Sequence, residues 1–79
     1  MIKIKDFWDC IDLPRFEVVF IDYESERYFS AIINHMPFDC FQRMADYKEG
    51  FRLDRLVLDG VTRATENGNT ITRFCFIEE

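Results

Sequence analysis

Arg15-Phe16-Glu17-Val18-Val19-Phe20-Ile21-Asp22 is the stretch that decides the fold. It is rich in β-branched and aromatic residues, and the four from Val18 to Ile21 are all apolar, so no alternation marks one side as solvated. That pattern predicts a strand buried on both faces, and hence the central strand of a sheet. The polar run from Asp22 to Arg27 reads as a connection with Tyr23-Glu24-Ser25-Glu26 at its exposed tip, and Tyr28 to Ile33 resumes β character. Two such strands pair most simply as an antiparallel hairpin.

Upstream, Ile4, Phe7, Trp8 and Ile11 recur at the i, i+3, i+4, i+7 spacing of one helical stripe, which predicts a helix over about 3–12. Lys5, Asp6, Asp9 and Asp12 take its other side, with Asp6 in the first turn where the dipole favours an anion. Ile2 is placed to staple onto Phe7, and Pro14 stops the helix from running on. Downstream, Asn34 to Pro37 breaks the second strand, and Phe38, Phe41, Met44 and Ala45 return to helical spacing over about 38–47, closed by Tyr47 and Gly50. Leu53 to Leu58 reads as the third strand. Asp59-Gly60 is a tight turn or a bulge within it, and Val61 to Thr65 continues in strand composition.

Glu66-Asn67-Gly68-Asn69 is the clearest turn, because Asn-Gly supplies the two positive φ angles of a type I′ hairpin, and Thr70 to Ile77 is the last strand. A two-residue turn sets Val61 opposite Phe74 and Ala64 opposite Ile71; a three-residue loop shifts the pairing by one. The expectation is a single α+β domain over residues 1–79, in the order α-β-β-α-β-β. It is a mainly antiparallel twisted sheet with one long-stripe helix and one short helix packed on it. Phe16, Phe20, Phe29, Phe41, Phe74 and Phe76 fall on inward positions, whereas Tyr23, Tyr28, Phe38 and Phe51 lie at element ends, where an exposed cluster would mark an interface.

Composition narrows the function. The 79 residues are 48% apolar and 16% aromatic, which is a core-forming rather than a disordered composition. Fifteen acids against ten bases give a net charge of −5, which disfavours direct binding to nucleic acid or to anionic membranes. The longest apolar run is the four residues from Val18 to Ile21, far short of the ~20 that span a bilayer. The two N-terminal lysines precede no apolar stretch of signal-peptide length, so a cytoplasmic protein is expected. Cys10, Cys40 and Cys75, odd in number and widely spaced, read as reduced, mostly buried core thiols rather than a disulfide framework.

The chemistry-bearing combinations are sparse. His35 and Cys40 straddle a strand end and a proline, and no orienting third group accompanies them. A zinc site would need Cys10, His35, Cys40 and Cys75 together, without the Cys-x-x-Cys pair that usually anchors one. With three glycines there is no phosphate-binding loop, and no Gly-x-Ser-x-Gly occurs. Asp9 with Asp12 and Glu24 with Glu26 sit where a solvated helix face and a loop tip are expected. No catalytic residue, metal ligand or cofactor is assigned, and the chain reads as a non-enzyme.

The stretches Ile2–Asp12 and Glu17–Asp22 and the step Met36-Pro37 give a short helix, a hairpin and a break. In these first forty residues the chain resembles small uncharacterised proteins of phages and mobile elements of Gram-positive bacteria. The resemblance implies a phage or mobile-element origin. It is in keeping with a small acidic protein-binding module that occludes or regulates a host protein, an anti-CRISPR-like inhibitor of a nucleic-acid-handling enzyme being the concrete form. Asp9, Asp12, Tyr23, Glu24 and Glu26 are then the candidate protein-binding residues, provided that helix and hairpin tip share a face. The alternative is a structural or oligomer-building accessory protein, such as a homodimer joined through aromatic and arginine side chains.

Overall fold

The computed structural model describes residues 1–48 and 53–79. Its elements are α1 (Ile4–Cys10), β1 (Arg15–Asp22), β2 (Arg27–Asn34), α2 (Phe38–Lys48), a 3-10 turn at Leu53–Arg55, β3 (Leu56–Glu66) and β4 (Asn69–Glu78). The order α-β-β-α-β-β and the α+β class are those expected from the sequence. The strands form one four-stranded sheet in the order β2-β1-β4-β3. β1 is therefore internal, as its uninterrupted apolar centre requires. Its two neighbours differ in sense: β2 runs antiparallel from the Arg15–Asn34 pair to the Asp22–Arg27 pair. β4 runs parallel, with Glu17 opposite Arg73 and Ile21 opposite Ile77. The sheet is thus two antiparallel hairpins joined by a parallel seam between the first and last strands.

The β3–β4 turn is the two-residue form. Asn67 and Gly68 adopt φ of 50° and 81°, and Val61 faces Phe74 while Ala64 faces Ile71. Asp59-Gly60 is a bulge, because the register shifts between Leu58 and Gly60 while β3 continues through it.

Three expectations are corrected. The first helix is the shorter of the two: Ile11 turns to extended backbone while its N–H still closes the last turn on the Phe7 carbonyl, and the chain straightens towards Pro14 and β1. Leu53–Arg55 is a 3-10 turn, not strand: the ladder with β4 begins at Leu56 opposite Glu78, and the Glu79 N–H bonds the Arg55 carbonyl. The cysteines are not core residues: Cys10 and Cys40 are exposed and Cys75 is half-buried. Cys10 and Cys40 fall off the apolar stripes of their helices, and Cys75 points to the opposite side of β4 from Phe74 and Phe76. Gly50 and Phe51 lie outside the described residues.

Both helices pack on one face of the sheet. There Phe16, Val18, Phe20, Ile33, Phe74 and Phe76 meet Ile4 and Phe7 of α1, Phe41 and Ala45 of α2, and Leu53 and Leu56. The core is aromatic: Phe7 lies against Phe16, Phe74 and Phe76 at centroid separations of 5.7, 4.6 and 5.1 Å, and Trp8 stacks on Phe41 at 4.7 Å. The Trp8 indole N–H donates to the Met36 carbonyl at 2.9 Å, pinning the end of α1 to the segment that leaves β2. Ile2 is half-exposed, and its carbonyl accepts the Leu58 N–H, so the N-terminal residues run along the outer edge of β3.

Among the described residues no helix lies on the second face. By strand alternation it bears Glu17, Val19 and Ile21 of β1, Tyr28, Ser30 and Ile32 of β2, and Arg73, Cys75 and Ile77 of β4. Val19 is nonetheless only 3% exposed, because its neighbours on the sheet crowd over it. Ion pairs Arg15–Glu66 and Arg73–Glu17 lie across one end of this face.

Candidate functional site

The candidate binding residues separate into two places. Asp12 stands three residues before β1 and Glu24 two residues after it; the steps of about 3.3 Å from Arg15 to Asp22 put the ends of β1 about 23 Å apart. Asp9 belongs with Asp12, because Trp8 beside it is tied to Met36, and the His35 N–H bonds the Pro14 carbonyl at the same end. Both aspartates are exposed. Tyr23, Glu24 and Glu26 lie at the other end, also exposed, with Tyr23 at 71%. The structure does not bring α1 and the hairpin tip onto a common patch.

It brings something else to the tip. Because β1 and β4 are parallel, their C-terminal ends share one rim of the sheet, and the β1–β2 turn meets Arg55, Glu78 and Glu79 there. An open cleft of about 600 Å³ is lined by Asp22, Tyr23, Glu24, Ser25, Arg27, Arg55, Glu78 and Glu79. Glu78 and Glu79 escaped sequence reasoning because the parallel pairing of first and last strands leaves no local signal. With Glu26, five acids face two arginines at this rim.

The tip is internally braced. Asp22 Oδ1 accepts the backbone N–H groups of Glu24 and Ser25 at 3.1 and 3.4 Å, and Asp22 Oδ2 accepts the Ser25 hydroxyl at 2.6 Å. The Ser25 hydroxyl, with help from those two N–H groups and the nearby Arg27, holds the Asp22 carboxyl below its ordinary range, so it stays ionised. Glu26 closes the turn at φ 56°, a left-handed conformation uncommon for a residue with a side chain.

At the opposite rim, which also holds Asp9 and Asp12, Arg15 and Arg73 are each paired to a glutamate, and the hydrogen bond that Arg73 Nε donates to Glu17 raises the Arg73 pKa above its ordinary value. His35, exposed at φ 51°, and Cys40, exposed on α2, are at this side of the molecule without a third polar partner recorded among the described residues. Cys10 and Cys75 lie on opposite sides of the sheet. Among the described residues no group of three or more His, Cys, Asp or Glu could hold a metal ion, and no helix is long and apolar enough to cross a membrane. No protein-family model, curated protein or solved structure matches the chain.

Proposed function

We propose that the chain is a non-catalytic protein-binding module of phage or mobile-element origin that occludes a basic groove of a nucleic-acid-handling enzyme in its host. The observation that supports this reading is the acidic rim: Asp22, Glu24, Glu78 and Glu79 line one open cleft with the exposed Tyr23, and Glu26 follows on the same turn, which Asp22 and Ser25 brace. A braced anionic tip loses little conformational entropy on docking, and its field speeds and orients the encounter with a positive groove. The rim replaces the helix-plus-tip surface as the binding site, because α1 carries Asp9 and Asp12 at the far end.

The test is capture of the partner from lysate of a bacterial host on the tagged chain, with elution in rising salt. A nucleic-acid enzyme released at moderate salt is the expected result, with capture lost in Glu24→Lys/Glu26→Lys and kept in Asp9→Lys/Asp12→Lys. Equal capture by the first variant, folded by circular dichroism, would remove the acidic rim from consideration.

A further inference from the structure

We propose that the partner also lies on the second face of the sheet, where an apolar row of Tyr28, Ile21 and Ile77 borders the acidic rim and receives an apolar segment flanking the partner's basic groove. This inference rests on the reading of the rim as the binding site and adds to it the apolar contact that a charged tip lacks.

The row follows from the register. Tyr28 is opposite Ile21, Ile21 opposite Ile77 and Ile77 opposite Val57, so one line of apolar side chains crosses all four strands on the side away from the helices. Three strand spacings of ~4.8 Å make it about 14 Å wide. Tyr28 is 65% exposed, Ile21 and Ile77 are half-buried, and Val57, which Lys3 bridges, closes the row at the sheet edge. The next residues along the strands are Asp22 and Glu78, so the row ends where the rim begins, and the exposed Tyr23 stands two residues beyond Ile21. Towards the other end of the same face the Arg73–Glu17 and Arg15–Glu66 ion pairs cover the sheet with charged side chains. The apolar surface left open is therefore at the rim end.

Binding through the rim alone would be weak. Exposed ion pairs add little affinity, because water and salt screen them, and they act mainly on the speed and orientation of the encounter. Affinity is carried by a few well-packed side chains, with Tyr, Trp and Arg foremost among them. Size leads to the same place: a specific interface takes about 20–30 residues from each partner, whereas eight line the cleft at the rim. The first face of the sheet is taken by α1 and α2, which leaves the second to widen the contact.

Charge decides the kind of occupant. Asp22, Glu24, Glu26, Glu78 and Glu79 outnumber Arg27 and Arg55 at the rim, and Arg73, further along the same face, is already held by Glu17. A segment that is apolar over the row and cationic past its end meets both surfaces. Arginine suits that end better than lysine, since a guanidinium stacks on exposed tyrosine rings as well as pairing with carboxylates. A second copy of this chain would bring its own net charge of −5 to the same place, which disfavours self-association there.

The probe is a synthetic helix of about four turns, with leucines on one stripe and arginines in its last turn, titrated into the chain and followed by NMR of isoleucine methyls and backbone amides. Expected are shifts of the Ile21 and Ile77 methyls together with the Glu24 and Glu79 amides, while Ile4 and Ile33 in the core stay unmoved. Tyr28→Thr, which keeps strand propensity, should weaken binding about tenfold. Val61→Thr, at an exposed position on the helix side of β3, should bind as the unaltered chain does. Rim amides that shift without the two methyls, or undiminished binding by Tyr28→Thr, overturn the row and leave the reading of the rim intact. Binding that survives Glu24→Lys/Glu26→Lys, or equal binding of a counterpart peptide with glutamates for arginines, removes the rim and this inference with it. No shift at up to about 1 mM peptide, the weak end of measurable association, also overturns it. So do methyl shifts that follow the chain's own concentration, which would put a second copy on the row. The methyl pattern of the wild-type chain decides the matter even if a variant fails to fold.

Discussion

Val18 and Val19 are adjacent, almost equally inaccessible at 0% and 3%, and set in the same central strand, yet the structure predicts opposite responses to the same substitution. Threonine has nearly the shape of valine and suits a strand, so Val→Thr changes little except for one hydroxyl. At position 18 that hydroxyl enters the aromatic core between sheet and helices. Its strand neighbours there are Ala31 and Phe74, neither with a side-chain hydrogen-bonding group. An unpaired buried hydroxyl costs about 1–3 kcal/mol by mutational measure, so Val18→Thr should lose about 2 kcal/mol. At position 19 the hydroxyl emerges on the helix-free face. It lies opposite Ser30 in a non-hydrogen-bonded pair, where side chains approach most closely and Thr–Ser bonds form. The loss should be within about 0.5 kcal/mol. At about 4–8 °C per kcal/mol for a domain of this size, thermal unfolding followed by circular dichroism should show Val18→Thr lower by about 8–16 °C and Val19→Thr by less than about 4 °C. Equal losses would refute the one-sided packing, since they would mean that the second face is as sealed as the first.

Other outcomes follow from single contacts. Trp8→Phe keeps a ring against Phe41 but deprives the Met36 carbonyl of its donor, and should cost about 1–2 kcal/mol in urea unfolding. Gly68→Ala forces a side chain to φ 81° and should cost about 1 kcal/mol, whereas Gly60→Ala, with open space around the new methyl and no positive φ, should be neutral within about 0.5 kcal/mol. Asp22 has its carboxyl pKa lowered in the folded chain, so its contribution to stability is present above the ordinary value of 3.8 and fades as pH falls through the lower folded value. Ser25→Ala removes the largest cause of that shift; NMR titration should then find the Asp22 carboxyl closer to 3.8 and a weaker loss of stability on acidification.

Much of the fold was legible because it rests on local signals. The apolar centre of β1 placed it inside the sheet, and Asn67-Gly68 set the second hairpin once its two-residue form was settled. Leu53 misled because it is a buried apolar residue adjoining a true strand, and only the length of β4 determines where that strand begins. Cysteine was assigned to the core by residue type, while its position on each element placed it outside. The candidate site was half legible: Tyr23, Glu24 and Glu26 stand out as a turn, but Glu78 and Glu79 reach the same rim through a pairing between residues more than fifty positions apart. The length of β1 sets the tip apart from Asp9 and Asp12; whether helix and tip share a face was a condition that the sequence left open.

That parallel seam also imposes a timetable on synthesis. Glu17 and Arg73 face each other across it, and at about 5–20 residues per second a ribosome needs about 3–11 s to supply the second after the first. The β1–β2 hairpin can close in about 1–10 μs, so through most of translation it must wait with its inner edge open. Only the arrival of β4 joins the two halves, and a message truncated before residue 70 would yield a hairpin and two helices with no sheet to complete.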